Sequence, residues 1–200
     1  CITLYIDLCK LHNYAGIVVA GVCYRTPDNE VLRYDLANLK NNGLASKQLL
    51  KALIDGKALV APAACIMSVE VFRKSLKKFN IYKYRNGQGI QILAPICYNS
   101  KRYVINKPLY NYVIYSDSLS RRDKTYMNQK RRLIEYEFVY RKTFDNMNMT
   151  KNDFEYFSLY ISQYFSKQKF LLAINYDVYE DAKCELKRMK QLSIARSIHY

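Results

Sequence analysis

Two hundred residues suit one domain, or a compact domain with an extension. Half of them are hydrophobic, which permits a real core and excludes a disordered chain, and no apolar run reaches the ~20 residues of a membrane span. The net charge of +15 favours phosphate-bearing partners (nucleic acid, an anionic membrane or a pyrophosphate substrate), although the abundance of Lys, Asn, Ile and Tyr is also what an AT-rich genome produces.

The first residues, CITLYIDLCKLHNY, place no basic leader before their apolar run, and the chain begins at Cys1, which reads as a fragment or a processed chain. Leu4, Leu8 and Leu11 stand at helical spacing and predict a helix over 2–14. Residues 17–23, IVVAGVC, are β-branched and apolar on both sides, as a buried strand requires. TPDNE is a turn, and the weakly patterned residues 26–45 are a loop. Ser46 is placed to cap a helix through KQLLKALID, with Gly56 as its stop. VAPAACIM, residues 60–67, is a buried strand or a packed loop, and Ser68 caps the short helix VEVFRKSL.

NIYKYRNGQG follows as a loop. Gln88 to Asn99 is helical, with Pro95 bending the helix or shortening its first part. RYVIN and LYNYVIY are strand-like and broken at Lys107-Pro108, and SDSLSRRD is a turn. Past Asp123 the composition is helical over 123–145, 151–166 and 178–198. Thr150 and Asp153 form a capping-box pattern, and Val178, Ala182, Leu186 and Met189 share one helical face. The expected organisation is a strand-containing part, 1–120, followed by an all-helical extension, 121–200.

Few residue sets offer chemistry. The six cysteines, at 1, 9, 23, 65, 97 and 184, form no Cys-x-x-Cys pair, which argues for free thiols in a reducing cytoplasm and against a zinc site. His12 and His199 lie near opposite ends, against a Ser/His/Asp or Cys/His set, and no Gly-x-x-x-x-Gly-Lys phosphate loop exists. The charge excess lies past residue 60. Lys77, Lys78, Lys83 and Arg85, interleaved with Tyr82 and Tyr84, match the basic aromatic pattern that binds single strands or rests on a membrane, and equally a solvated loop.

Four pieces stand in order over residues 87–121: Gly87-Gln88-Gly89, ILAPICY, YVINKPLYNYVI and Ser118-Leu119-Ser120-Arg121. Together with the upstream IVVAGVCY and QLLKALIDG, they resemble family 2 glycosyltransferases, over roughly residues 1–145. The resemblance implies an α/β fold, a partial GT-A (Rossmann-like) sandwich, here followed by the helical tail. It implies inverting transfer of a sugar from a nucleotide-sugar donor to a glycan or lipid-linked acceptor, as in surface polysaccharide synthesis. Such chemistry needs charge neutralisation at the leaving diphosphate, a general base for the acceptor proton, and alignment of the two substrates.

The chain departs from the family pattern in two ways. It has no Asp-x-Asp, and it lacks the first strand–helix–strand units of the nucleotide pocket. The expectation is therefore a C-terminal portion that binds no cofactor itself and is inactive alone, with Mg or Mn entering only with the missing N-terminal half. In addition, the position of the family's acidic base aligns with Gly89, which has no side chain, so the catalytic base stays unassigned.

Gln88 and Gln91 are candidates for orienting an acceptor hydroxyl, or else the glutamine and glycine merely cap the helix and allow a tight turn. Ser118, Ser120 and Arg121 (with Arg122) are candidates for holding the donor diphosphate or an anionic acceptor at a strand end, or else a solvated helix start. Tyr110, Tyr112 and Tyr115 either line an acceptor groove or pack the strand. The expected location is cytoplasmic, with peripheral contact at the inner membrane face. The rival reading is a non-catalytic basic module that binds nucleic acid or an anionic membrane.

Overall fold

The computed structural model describes residues 2–13, 16–36, 43, 45–58, 62–82, 84, 86–115 and 124–198. It is a mixed α/β chain with a helical C-terminal region, and it forms two compact units. The first comprises 1–81, 89–118 and 146–148; the second comprises 82–88, 119–145 and 149–200.

The first unit is built on β1 (Gly16–Arg25). Its residues are buried without alternation from Gly16 to Cys23 because both faces of the strand are covered. Both edges are paired as well. Along one edge β4 (Lys101–Val113) runs parallel to it from Gly16↔Lys101 to Arg25↔Val113. The other edge is shared by two antiparallel strands, β3 (Cys65–Met67) opposite Ile17 to Val19, and β2 (Val31–Asp35) opposite Val22 to Arg25.

On one face, α1 (Ile2–Leu11) sets Tyr5 and Cys9 against Val18 and Ala20, with Ile66, Tyr103, Ile105 and Leu109 around them. The Tyr5 hydroxyl donates to the Ala64 carbonyl at 3.1 Å, so the buried phenol is satisfied. The helix is where its spacing predicts, but its buried stripe is Tyr5 and Cys9, while Leu4 and Leu11 are exposed. The opposite face of the sheet carries Ile17, Val19 and Arg102. It lies by α4 (Gln88–Asn99), whose Cys97 is close enough to feel the Arg102 charge.

Three local expectations change. Residues 26–45 contain β2, whose side chains are mostly exposed, so hairpin pairing rather than burial holds it. TPDNE closes that hairpin, with Thr26 and Glu30 joined by a 2.9 Å backbone bond and Asn29 in the left-handed region. Ser46 does not cap α2 (Ser46–Ile54), since Ala45 holds the cap position and makes no side-chain bond; Gly56, at φ 67°, does follow its end. Helix α4 spans Gln88–Asn99 as expected, with Pro95 inside it and not shortening it. Lys107-Pro108 does not divide β4, because the register slips by extra residues between Ala20↔Ile105 and Val22↔Tyr110 and the bulge absorbs the proline. Ser68 caps α3 (Val69–Lys74), accepting from the Val71 amide at 3.3 Å.

The second unit contains α5 (Tyr126–Asn146), α6 (Lys151–Asn175) and α7 (Tyr179–Ile198). Thr150 caps α6 through the Asp153 amide, and the helix runs nine residues beyond the 166 expected from composition. Tyr140, Phe144, Phe157, Ile161 and Phe165 form its buried aromatic core. Beside them Glu137 of α5 accepts, at 3.0 Å each, from Lys169 of α6, Arg188 of α7 and Arg141 of its own helix. Lys169 also lies 3.6 Å from Glu185. Burial pushes the Glu137 carboxyl up, but the hydrogen bonds from Lys169 and Arg141 and the charges of Lys169 and Arg188 outweigh it, leaving the carboxyl below its ordinary value.

Gly16→Ala would place a Cβ 2.5 Å from the Lys101 carbonyl oxygen and 2.5 Å from the Tyr103 ring. Overpacking of this kind is expected to lower stability by about 1–3 kcal/mol in urea unfolding followed by circular dichroism.

Because Glu137 is lowered in the folded state, its contribution is full above the ordinary carboxyl value of 4.5 and disappears as pH falls through the lower folded value. Glu137→Gln, which leaves Lys169 buried with less compensation, should cost about 3 kcal/mol at neutral pH and flatten the acid limb of a melting-temperature profile.

Candidate functional site

The start of α4 carries the sequence candidates. Gly87 adopts φ 75°, a conformation that suits glycine, and so turns the chain into the helix. The Gln88 side chain is exposed, and its Nε2 donates to the Tyr84 carbonyl at 2.9 Å. That bond ties the helix start to the preceding turn but caps no helix N–H group, and it uses the amide nitrogen rather than the amide oxygen. Gly89 is partly buried and offers no proton acceptor. Gln91 is only 5% exposed, so the two glutamines do not present a common solvent-facing pair. Farther along, Asn99 Nδ2 donates to the Pro95 carbonyl at 3.0 Å and Ser100 Oγ to the Ile96 carbonyl at 2.7 Å, satisfying acceptors at the helix end.

Ser118, Ser120 and Arg121 lie outside the described residues, as do Arg122, Lys83 and Arg85. Tyr110 is partly buried, while Tyr112 and Tyr115 are exposed. Glu135 accepts from Asn86, and Glu137 is committed to the helical ion network. His12 is stacked on Tyr103, with ring centroids 3.6 Å apart and 12° between planes.

Arg102 is wholly buried on β4. Burial lowers its pKa, with Cys97 opposing. Burial pushes the Cys97 thiol up to about 12, with Cys65 adding to the rise and Arg102 opposing it; Cys65 is likewise pushed up to about 12 by burial. Burial thus favours the thiol form of both over the thiolate that acts as a nucleophile. Among the described residues, no group of three His, Cys, Asp or Glu stands together as a metal site would require.

Sequence reasoning did not single out Arg102, Tyr24 or Arg33. The last two come together only through the β2 hairpin, for which the turn-forming TPDNE between two apolar-rich runs was the available signal.

No family model, no curated protein and no solved structure matches this chain. Among the described residues, no helix is long and apolar enough to cross a membrane.

In the folded chain, an excess of a colourless thiol reagent should modify the exposed Cys184 quickly and leave Cys97 and Cys65 untouched until denaturant is added. Peptide mapping by mass spectrometry reads the order of modification.

Proposed function

We propose that this chain supplies the acceptor side of a family 2 glycosyltransferase, a partial GT-A sandwich that helps move a sugar from a nucleotide-sugar donor to a glycan or lipid-linked acceptor. The observation that carries the reading is the parallel pairing of β1 and β4 with α4 leading into β4. Parallel neighbours need such a crossover, and in open α/β sheets ligands gather at the carboxyl ends of the strands. The motif order around α4 and β4 supports the same reading.

In the transfer an acceptor hydroxyl attacks the anomeric carbon, the bond to the nucleoside diphosphate breaks, and the hydroxyl proton passes to a base. Gly89 cannot take that proton. Gln88 is assigned to orient the acceptor hydroxyl through its amide oxygen, and Arg121 to the donor diphosphate. A cytoplasmic setting, in which nucleotide sugars are made, belongs to the same proposal.

The rival is a basic binding module, favoured by the +15 net charge. Tight, steeply salt-dependent binding of single-stranded DNA, with no sugar transfer, would replace the transferase reading with it.

The test uses the full-length product of the gene that encodes this chain, with radiolabelled UDP-glucose, UDP-galactose or UDP-N-acetylglucosamine and Mn²⁺. Transfer of label to a glycan or lipid fraction is expected. Gln88→Ala should lower kcat/KM about tenfold, the loss of one orienting hydrogen bond, with only a small fall in melting temperature from the lost bond to the Tyr84 carbonyl. Wild-type turnover unaffected by Gln88→Ala removes the role of Gln88, and no transfer from any of the three donors overturns the reading.

A further inference from the structure

Beyond α1 the cover on one face of the sheet runs out. Val18, Ala20 and Val22 are buried, but the next residue on that face of β1, Tyr24, is partly exposed. Its registered neighbours are Arg33 on β2 and Tyr112 on β4. The Arg33 guanidinium carbon sits 4.3 Å from the Tyr24 ring centroid, and the Tyr24 and Tyr112 rings are 5.5 Å apart, tilted by 50°. Asp35, opposite Val22 on the same face, holds Arg33 at 3.3 Å. Tyr110, opposite Val22 on the other side, continues the row.

The result is a ladder across three strands, at the carboxyl ends of the parallel pair β1 and β4. Arg33 lies over Tyr24, whereas Tyr112 is 47% exposed. Paired unlike charges leave little net charge at the Arg33 end, so the surface suits a neutral ligand rich in hydroxyls better than a polyanion. Arg33 offers further N–H donors and Asp35 a second carboxylate oxygen, which is the complement of adjacent hydroxyl groups. A pyranose with equatorial substituents presents a flat face of C–H groups, which stacks on an aromatic ring such as Tyr112, and the extended backbone of a β-linked chain carries its next unit toward Arg33 and Asp35.

We propose that Arg33, Tyr24, Tyr112 and Asp35 form a binding platform for a neutral, β-linked glycan. One sugar stacks on Tyr112, and its neighbour's hydroxyls are held by Arg33 and Asp35. As the acceptor site of the transferase, the platform rests on the function proposed above; as a glycan-binding surface it can be tested independently of it.

The experiment is a titration of the full chain, ¹³C-labelled at tyrosine, with cellohexaose, laminarihexaose and chitohexaose, followed by NMR of the tyrosine ring signals. At least one of the three should shift the Tyr24 and Tyr112 rings in a saturable way. Tyr112→Ala and Arg33→Ala should each weaken that binding at least tenfold while the circular dichroism spectrum is unchanged. Tyr34→Ala, at an exposed tyrosine opposite Cys23 and so on the other face, should leave it intact.

No saturable shift with any of the three glycans overturns the proposal. So does binding indifferent to Tyr112→Ala, or shifts of these rings by a dodecamer of deoxythymidine and by none of the glycans. Saturable glycan binding by a gene product that transfers no sugar would remove the transferase reading and leave the platform standing. Sugar transfer without these ring shifts would remove the platform alone.

Discussion

The α/β unit depends on one constraint: β1 is buried on both faces and paired along both edges. A strand in that position cannot alternate polar and apolar side chains, and each of its buried Val and Ile side chains contributes about 1.5–3 kcal/mol of burial. Its neighbours are then set in turn. Gly16 is forced by the approach of the Lys101 carbonyl and the Tyr103 ring. A Cβ at Gly21 would meet the Asp35 and Lys107 carbonyl oxygens at 3.0 and 3.2 Å, opposite the bulge that admits Pro108. Two small residues in the central strand thus allow the tight registers on either side.

The helical unit has a different anchor. Its aromatic core supplies non-directional cohesion, whereas the Glu137 cluster specifies how α5, α6 and α7 meet. A buried ion pair is poor evidence for net stability, because desolvation offsets the Coulomb gain. Here a single carboxylate accepts from Lys169, Arg141 and Arg188 and so ties the three helices together. Ser162 adds to that arrangement by accepting from Arg141 at 2.6 Å.

For function, the decisive feature of the α/β unit is the end of the sheet where cover stops. As β1 passes Cys23 its aliphatic run gives way to Tyr24 and Arg25, and Tyr24 is flanked in register by Arg33 of β2 and Tyr112 of β4. That registration of three side chains is what the proposed glycan platform rests on, since scattered exposed tyrosines are ordinary. At the start of α4, by contrast, the proposed pair separates: Gln88 faces solvent and Gln91 is buried. Helical spacing alone could not reveal this, because which side of α4 is covered depends on the sheet.

The sequence by itself determined the elements with strong local signals. The β-branched run 17–23 had to be a buried strand, Ser68 and Thr150 had to cap helices, and the helical C-terminal region followed from composition. Only the tertiary structure decided the rest. The edge strand β2 has little burial and exists through pairing with β1. Lys107-Pro108 is tolerated because a bulge takes up the extra residues, and the stripe of α1 that is buried is Tyr5 and Cys9 because the sheet, not the leucine spacing, selects it. The Arg33–Tyr24–Tyr112 ladder joins residues up to 88 positions apart in sequence, from Tyr24 to Tyr112. Local propensity acts over a few residues, whereas strand register is set by long-range pairing, so a surface composed across three strands is legible only once that register is known.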